Sequence, residues 1–280
     1  MHTAHSIMRS YRPTLKRIAS LIKHNKTFFI AGHRRPDGDS IAAQLALGSI
    51  LKKLRKKFDI VSRDPVPRNL MFLPGANRIT VAKRITKTYD VAFILECSGQ
   101  DRMGNIIDLK AQAKQVINID HHTHFNCFGD ENLIDPDASS SCEIIYHLFE
   151  TMHIPLSRNV ALYLYVGLIT DTGCFHHANT TAQVHQLAAE CLTCGVKPVY
   201  VYEKVYQQRS LKELGFLGEV LKSIRLILKG KAALITIKHK HTDTEDIVNY
   251  GMMISSVLVT VLLQPGSKRK LTRVSFRSRG

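Results

Sequence analysis

Short runs of aromatic and β-branched residues alternate along the chain with stretches whose apolar positions recur every three or four residues, a rhythm that sets strands between helices. The first unit is TFFIA at 27–31, followed after a polar loop by 40–54, where apolar residues fall at helical spacing. Further apolar runs stand at 58–61, 91–95 and 116–119; each ends in polar residues, and the stretches between them could hold helices. This alternation predicts a parallel α/β sheet, in which ligands sit beyond the carboxyl ends of the strands. Downstream, 140–152 begins with Ser140 and Glu143 in capping-box spacing and reads as a helix. Two more helical patterns cover 157–169 and 181–194, the second stopping at Gly195. The pattern then changes: 200–223 looks like a helical connector, and the remainder alternates strand-like runs at 234–238, 257–263 and 272–276 with polar turns.

A chain of 280 residues fits two modest domains, here 1–195 and 224–280 joined by 196–223. With 44% hydrophobic and 22% charged residues it can bury real cores, which excludes wholesale disorder. Lys and Arg outnumber Asp and Glu by 39 to 23, and a net charge of +16 favours polyanionic partners. The first twenty residues lack the apolar stretch of a secretory signal, and the longest apolar runs, 160–169 and 254–263, are about half of the roughly 20 residues that cross a bilayer. No membrane association is expected. Six scattered cysteines fit reduced thiols in the cytoplasm, the CxxC pair Cys191 and Cys194 included.

Three polar clusters follow the strand-like or helical runs. HRRPDGDS places His33, Asp37 and Asp39 on a tight loop shaped by Pro36 and Gly38, so that three hard ligands converge. Taken alone, Asp39 and Ser40 could equally cap the next helix. Asp120, His121 and His122 end another run, where they can serve as metal ligand, proton donor and orienting partner, or form a simple surface pair. Asp171 in TDTGCF stands at an element end, where an Asx turn is the plain alternative. The joint occurrence of all three at one sheet edge favours a functional site.

HRRPDGDS at 33–40, DRMG at 101–104, DHHTHFNCFG at 120–129 and TDTGCF with NTT over 170–181 resemble, in order, the four motifs of the DHH phosphoesterases. The resemblance implies a doubly wound, mainly parallel α/β domain followed by a smaller α+β domain of the DHHA1 type, across a cleft where substrate binds. It implies a dinuclear centre, usually manganese, with magnesium or cobalt as alternatives. His33 and Asp37 would hold one ion, Asp39, His121 and Asp171 the other, and a fourth carboxylate would bridge them. In the family that bridge is an aspartate; here Glu96 stands in LECSGQDRMG. His122 matches the histidine that serves as proton donor or electrostatic stabiliser, with Asp120 orienting a histidine, and Arg102 could face the substrate phosphates.

The terminal TRVSFRSRG resembles the SFRS segment of the DHHA1 domain and makes Arg277 and Arg279 candidate phosphate ligands. Relatives continue to a GGGH segment that is absent before Gly280, so the second domain is expected to be truncated. The implied activity is metal-assisted hydrolysis of short single-stranded RNA, exonuclease fashion, or of adenosine 3′,5′-bisphosphate, in a cytoplasmic enzyme that could form a homodimer. Two alternatives accompany it: a catalytically impaired relative that binds nucleotide or nucleic acid, motivated by Glu96 and the missing segment, and a cyclic dinucleotide phosphodiesterase.

Overall fold

The computed structural model describes residues 4–237, 247–266 and 271–279. It divides into two compact units, 1–207 and 208–280. In the first, helix α1 (Ala4–His24) precedes β1 (Thr27–Ala31), α2 (Gly38–Lys53), β2 (Lys57–Ser62), β3 (Thr80–Val81) and β4 (Tyr89–Leu95). Then follow α3 (Leu109–Gln112), β5 (Ala113–Asp120), β6 (Glu131–Ile134), α4 (Ser141–Thr151), α5 (Arg158–Asp171), α6 (Ala182–Thr193) and α7 (Pro198–Tyr206).

The six strands form one sheet in the order β3-β2-β1-β4-β5-β6, every pairing parallel. Strand order reverses between β1 and β4, and at such a switch point the connections leave in opposite directions and open a crevice beyond the strand ends. The central strands are buried on both faces and alternate strictly. Phe28 and Ile30 of β1, with Val91, Phe93 and Leu95 of β4, join the core under the helices. Phe29 and Ala31, with Ala92 and Ile94, face a smaller core that Met103, Ile106, Ile107 and Leu109 complete. Each fully buried side chain of this size contributes about 1.5–3 kcal/mol, so the central pair β1 and β4 anchors the loops that follow it.

Helices α2 and α5 approach closely because two glycines allow it. A Cβ on Gly38 would overlap the Thr170 side chain, and one on Gly167 would overlap Asp39 Oδ1 and Cys142 Sγ. Helix α1 carries Leu15, Ile18, Ala19 and Ile22 as a buried stripe at helical spacing. The second half of α1 thus belongs to the first core.

The stretch read as a connector holds two helices, and the unit boundary falls between α7 and α8 (Leu211–Lys222). The second unit continues with β7 (Arg225–Ile227), β8 (Ala232–Thr236), α9 (Ile247–Met252), β9 (Val259–Pro265) and β10 (Thr272–Ser278). Its sheet runs β10-β9-β8-β7, with β8 and β9 parallel and the outer pairings antiparallel. Val220, Ile235, Ile237, Ile247, Val248 and Leu262 form its core. Residue 238, the end of one expected strand, lies outside the described residues. Among the described residues no helix is long and apolar enough to cross a membrane, and all six cysteines are free.

Gly167→Ala tests the close approach. The added methyl gains up to about 1 kcal/mol of helix propensity but meets a carboxylate and a thiol that cannot retreat, and overpacking of this kind costs about 1–3 kcal/mol. The expected outcome is a lower urea midpoint together with weaker binding of divalent cations; a more stable variant with unchanged cation affinity would contradict the packing described.

Candidate metal centre

The loop after β1 places His33 and Asp37 beyond the sheet edge, and the first turn of α2 carries Asp39. Asp37, not Asp39, is the N-cap: its Oδ1 accepts from Ser40 N at 3.0 Å. Asp39 is thereby left inside the helix and fully buried. Its Oδ2 accepts from Ser141 N at 2.7 Å and its Oδ1 from Cys142 N at 3.0 Å. The carboxylate sits on the N-terminus of α4, where free amides and the helix dipole favour negative charge.

Glu96 directly follows β4, with a φ of 58°. This left-handed conformation is uncommon for a residue with a long side chain. Its amide still donates to Ile119 O at 3.0 Å, so the ladder to β5 continues while the chain turns away. The carboxylate is buried, and its Oε1 accepts from Ser141 Oγ at 2.5 Å. Asp120 closes β5, His121 and His122 follow it, and Asp171 is the last residue of α5.

These residues form three overlapping groups, in each of which one potential ligand atom per residue lies within 4.8 Å of the others. They are Asp39, Glu96, His121 and Asp171; His33, Asp37 and Glu96; and Glu96, His121 and His122. All six residues that the motifs single out as ligands are therefore assembled from four chain segments, and Glu96 belongs to every group. His121 Nε2 stands 3.0 Å from Asp171 Oδ2 and 3.3 Å from Glu96 Oε1, while its Nδ1 lies 3.3 Å from Ala138 O.

The electrostatics call for cations. Burial first, and then the charge of Asp39, push Asp171 up to about 7. Burial and the charges of Asp39, Asp171 and Asp37 raise Glu96 well above the carboxylate range. Burial alone would depress His121, yet contact with Asp171 and the charge of Asp39 override it and raise the imidazole to about 9. His121 Nε2 is buried without an aligned hydrogen-bond partner despite its proximity to Asp171, which suits a nitrogen that shares a cation with that carboxylate. The residues fit a pair of divalent ions, and a donor set of imidazole and carboxylate favours manganese, magnesium or cobalt over softer metals. Cys97 and Cys142, buried nearby, have their thiols pushed up by burial and belong to none of the groups.

Asp120 Oδ1 accepts from His121 N at 2.8 Å and lies 2.7 Å from His122 Nδ1. That contact gives Nδ1 the proton and leaves Nε2 of the half-exposed ring to meet a ligand. Arg102 is exposed on the DRMG segment, and its backbone carbonyl accepts from Arg34 N at 2.8 Å. Arg277 and Arg279 belong to the second unit, where Arg277 Nε donates to Asn249 Oδ1 at 3.2 Å. Arg279 Nη2 donates to Met252 O at 3.0 Å, at the end of α9.

Three contributors were not legible beforehand. Ser141, beyond the capping pattern, holds both Asp39 and Glu96. The reciprocal half of the capping box is displaced by one residue, because Glu143 Oε2 accepts from Ser139 N and Oγ, both at 2.7 Å. Asn179, in the NTT segment, donates through Nδ2 to Ser139 O at 3.0 Å and Asp171 O at 3.2 Å, tying the loops together.

The model of the DHH family, N-terminal domain, matches residues 27–168. The chain is 28% identical to the bifunctional oligoribonuclease and PAP phosphatase NrnA of Thermus thermophilus, over 96% of this chain and 82% of that protein. It is 25% identical to the protein of the same name from Bacillus subtilis, over 91% of this chain and 82% of the other. The fold is similar to a crystal structure of an exopolyphosphatase-related protein from Bacteroides fragilis, with a TM-score of 0.88 at 24% identity, covering 96% of this chain and 84% of that one.

A pH dependence follows from the centre. Below about 7 both Asp171 and His121 hold protons that an incoming cation must displace; above about 9 neither does. Affinity for manganese should therefore rise as pH increases through this window and then level off, with protons released on binding. Calorimetry in two buffers of different ionisation enthalpy checks this; pH-independent affinity without proton release would contradict it.

Proposed function

The chain belongs to the DHH family of phosphoesterases, and from that premise we propose that it hydrolyses short oligoribonucleotides and 3′-phosphoadenosine 5′-phosphate with two manganese ions. The observation that carries the proposal is the overlap of three ligand groups on Glu96 at the topological switch point, which provides for two adjacent cations. The substrate class rests on the similarity to the two oligoribonuclease and PAP phosphatase proteins.

His33 and Asp37 would hold one ion, Asp39, His121 and Asp171 the other, with Glu96 between them. Divalent ions held there would supply Lewis-acid stabilisation of a phosphoryl group and lower the pKa of a water molecule. The chain's own residues do the rest. Asp39, fixed by two amides of α4, cannot swing away as charge develops. Asp120 holds the proton on His122 Nδ1, so that Nε2 can carry a second proton toward a leaving oxygen. Arg102 would meet the non-bridging phosphate oxygens, and Arg277 and Arg279 are further candidate phosphate ligands within the second unit.

One observation favours a second reading, a relative impaired in turnover. Glu96 is a methylene longer than the aspartate that the family resemblance implies, and Ser141 already engages one of its oxygens.

The test is hydrolysis of an RNA dinucleotide and of adenosine 3′,5′-bisphosphate in manganese. The account predicts turnover that falls at least about 100-fold in His122→Ala, the scale of general acid catalysis, and is lost in Asp39→Asn. No turnover by the unmodified chain, with activity appearing in Glu96→Asp, would instead establish the impaired relative.

A further inference from the structure

Beside the metal centre, on the side supplied by β1, β2 and β4, the chain gathers arginines that the ligand cluster does not use. Arg34 follows His33, Arg63 follows β2, and Arg102 lies on the segment after Glu96. Gly104, with a φ of 84°, is the point on which two of them converge. A Cβ built there would lie 2.8 Å from both Cγ and Cδ of Arg34 and 2.9 Å from Cγ of Arg63. The two aliphatic stems thus pack against the same spot, and Arg34 N is tied to Arg102 O.

Like charges brought together in this way call for a counter-ion. Among the described residues no carboxylate lies within 4.0 Å of the side-chain nitrogens of Arg34, Arg63 or Arg102. The two neighbouring carboxylates are directed elsewhere. Asp64 Oδ2 accepts from Arg35 N at 2.8 Å, and Asp101 Oδ1 lies against Gly99. The positive charge of Arg102 is felt at His33, which places this group beside the ligands. Arg34 is exposed and Arg63 half-buried, and the stems of both pack against Gly104.

We propose that Arg34 and Arg63, packed on Gly104, bind a second phosphate of the substrate, about one nucleotide from the phosphate at the metal centre. This rests on the phosphoesterase reading and narrows its substrates to those carrying a terminal phosphate besides the scissile ester. Fork-shaped guanidinium groups suit a phosphate monoester, which offers more oxygens and more charge than a diester. Because Arg34 directly follows a residue of the metal centre, the chain itself sets the spacing between the two phosphates.

The experiment compares binding of the dinucleotides ApA, pApA and ApAp by calorimetry in manganese. It uses the His122→Ala background, which keeps the six residues assigned to the two ions and both arginines while suppressing turnover. A terminal phosphate at one end should tighten binding at least tenfold, and the gain should fall below twofold when Arg34→Ala and Arg63→Ala are added. Both side chains reach solvent, so their removal spares the core. A gain that survives in the double variant, or no gain from a phosphate at either end, would overturn the proposal. Turnover of pApA and ApAp by the unmodified chain is read separately, and its absence for both sinks the phosphoesterase reading while the binding comparison still decides the role of the arginines.

Discussion

The centre depends on holding several carboxylates where water cannot screen them. Asp39, Glu96 and Asp171 present oxygens within 4.8 Å of one another. At an effective dielectric of 20, two unit charges 4 Å apart repel by about 4 kcal/mol. A few such pairs match the 5–15 kcal/mol that typically separates folded from unfolded chains, so the arrangement demands neutralisation. Protons supply it in part, as the raised Glu96, Asp171 and His121 indicate. The start of α4 supplies more, through the amides of Ser141 and Cys142 on Asp39. Divalent cations would complete it, and the chemistry of phosphate ester hydrolysis uses such cations.

The fold meets this demand through its topology. The order reversal between β1 and β4 opens the crevice, and the two strands that flank it deliver His33, Asp37 and Glu96. β5 brings the two histidines from the next position in the sheet. Glycine at 167 lets α5 lie against Asp39, so Asp171 arrives from the helical layer. Residues 33 to 171 in sequence thus become neighbours, while rigid strands and helix ends fix each carboxylate with little freedom to relieve the repulsion by moving apart.

Much of this was legible in the sequence, for identifiable reasons. The central strands read clearly because they are buried on both faces and appear as continuous apolar runs. The motif residues announced themselves because hard ligands cluster where runs end. The short strands β3 and β6 left no trace, since two exposed residues in one and four mostly half-buried residues in the other have no period to detect. Helix α1 leaves only a weak signal because basic residues interrupt the buried stripe of Leu15, Ile18 and Ile22. Asp37 rather than Asp39 caps α2, a distinction that depends on backbone angles which a one-residue shift in the pattern cannot reveal. Ser141 and the pairing of Arg34 with Arg63 are tertiary facts: each joins segments far apart in the chain, and neither residue type is informative alone.

The most direct test of the central claim is the stoichiometry of manganese binding, measured by calorimetry on the purified chain stripped of metal and repeated with Asp39→Asn. The account predicts two ions per unmodified chain and the loss of at least one in the variant. No binding, or two ions bound with equal affinity after the substitution, would contradict the view that this convergence of carboxylates and imidazoles exists to hold a metal pair.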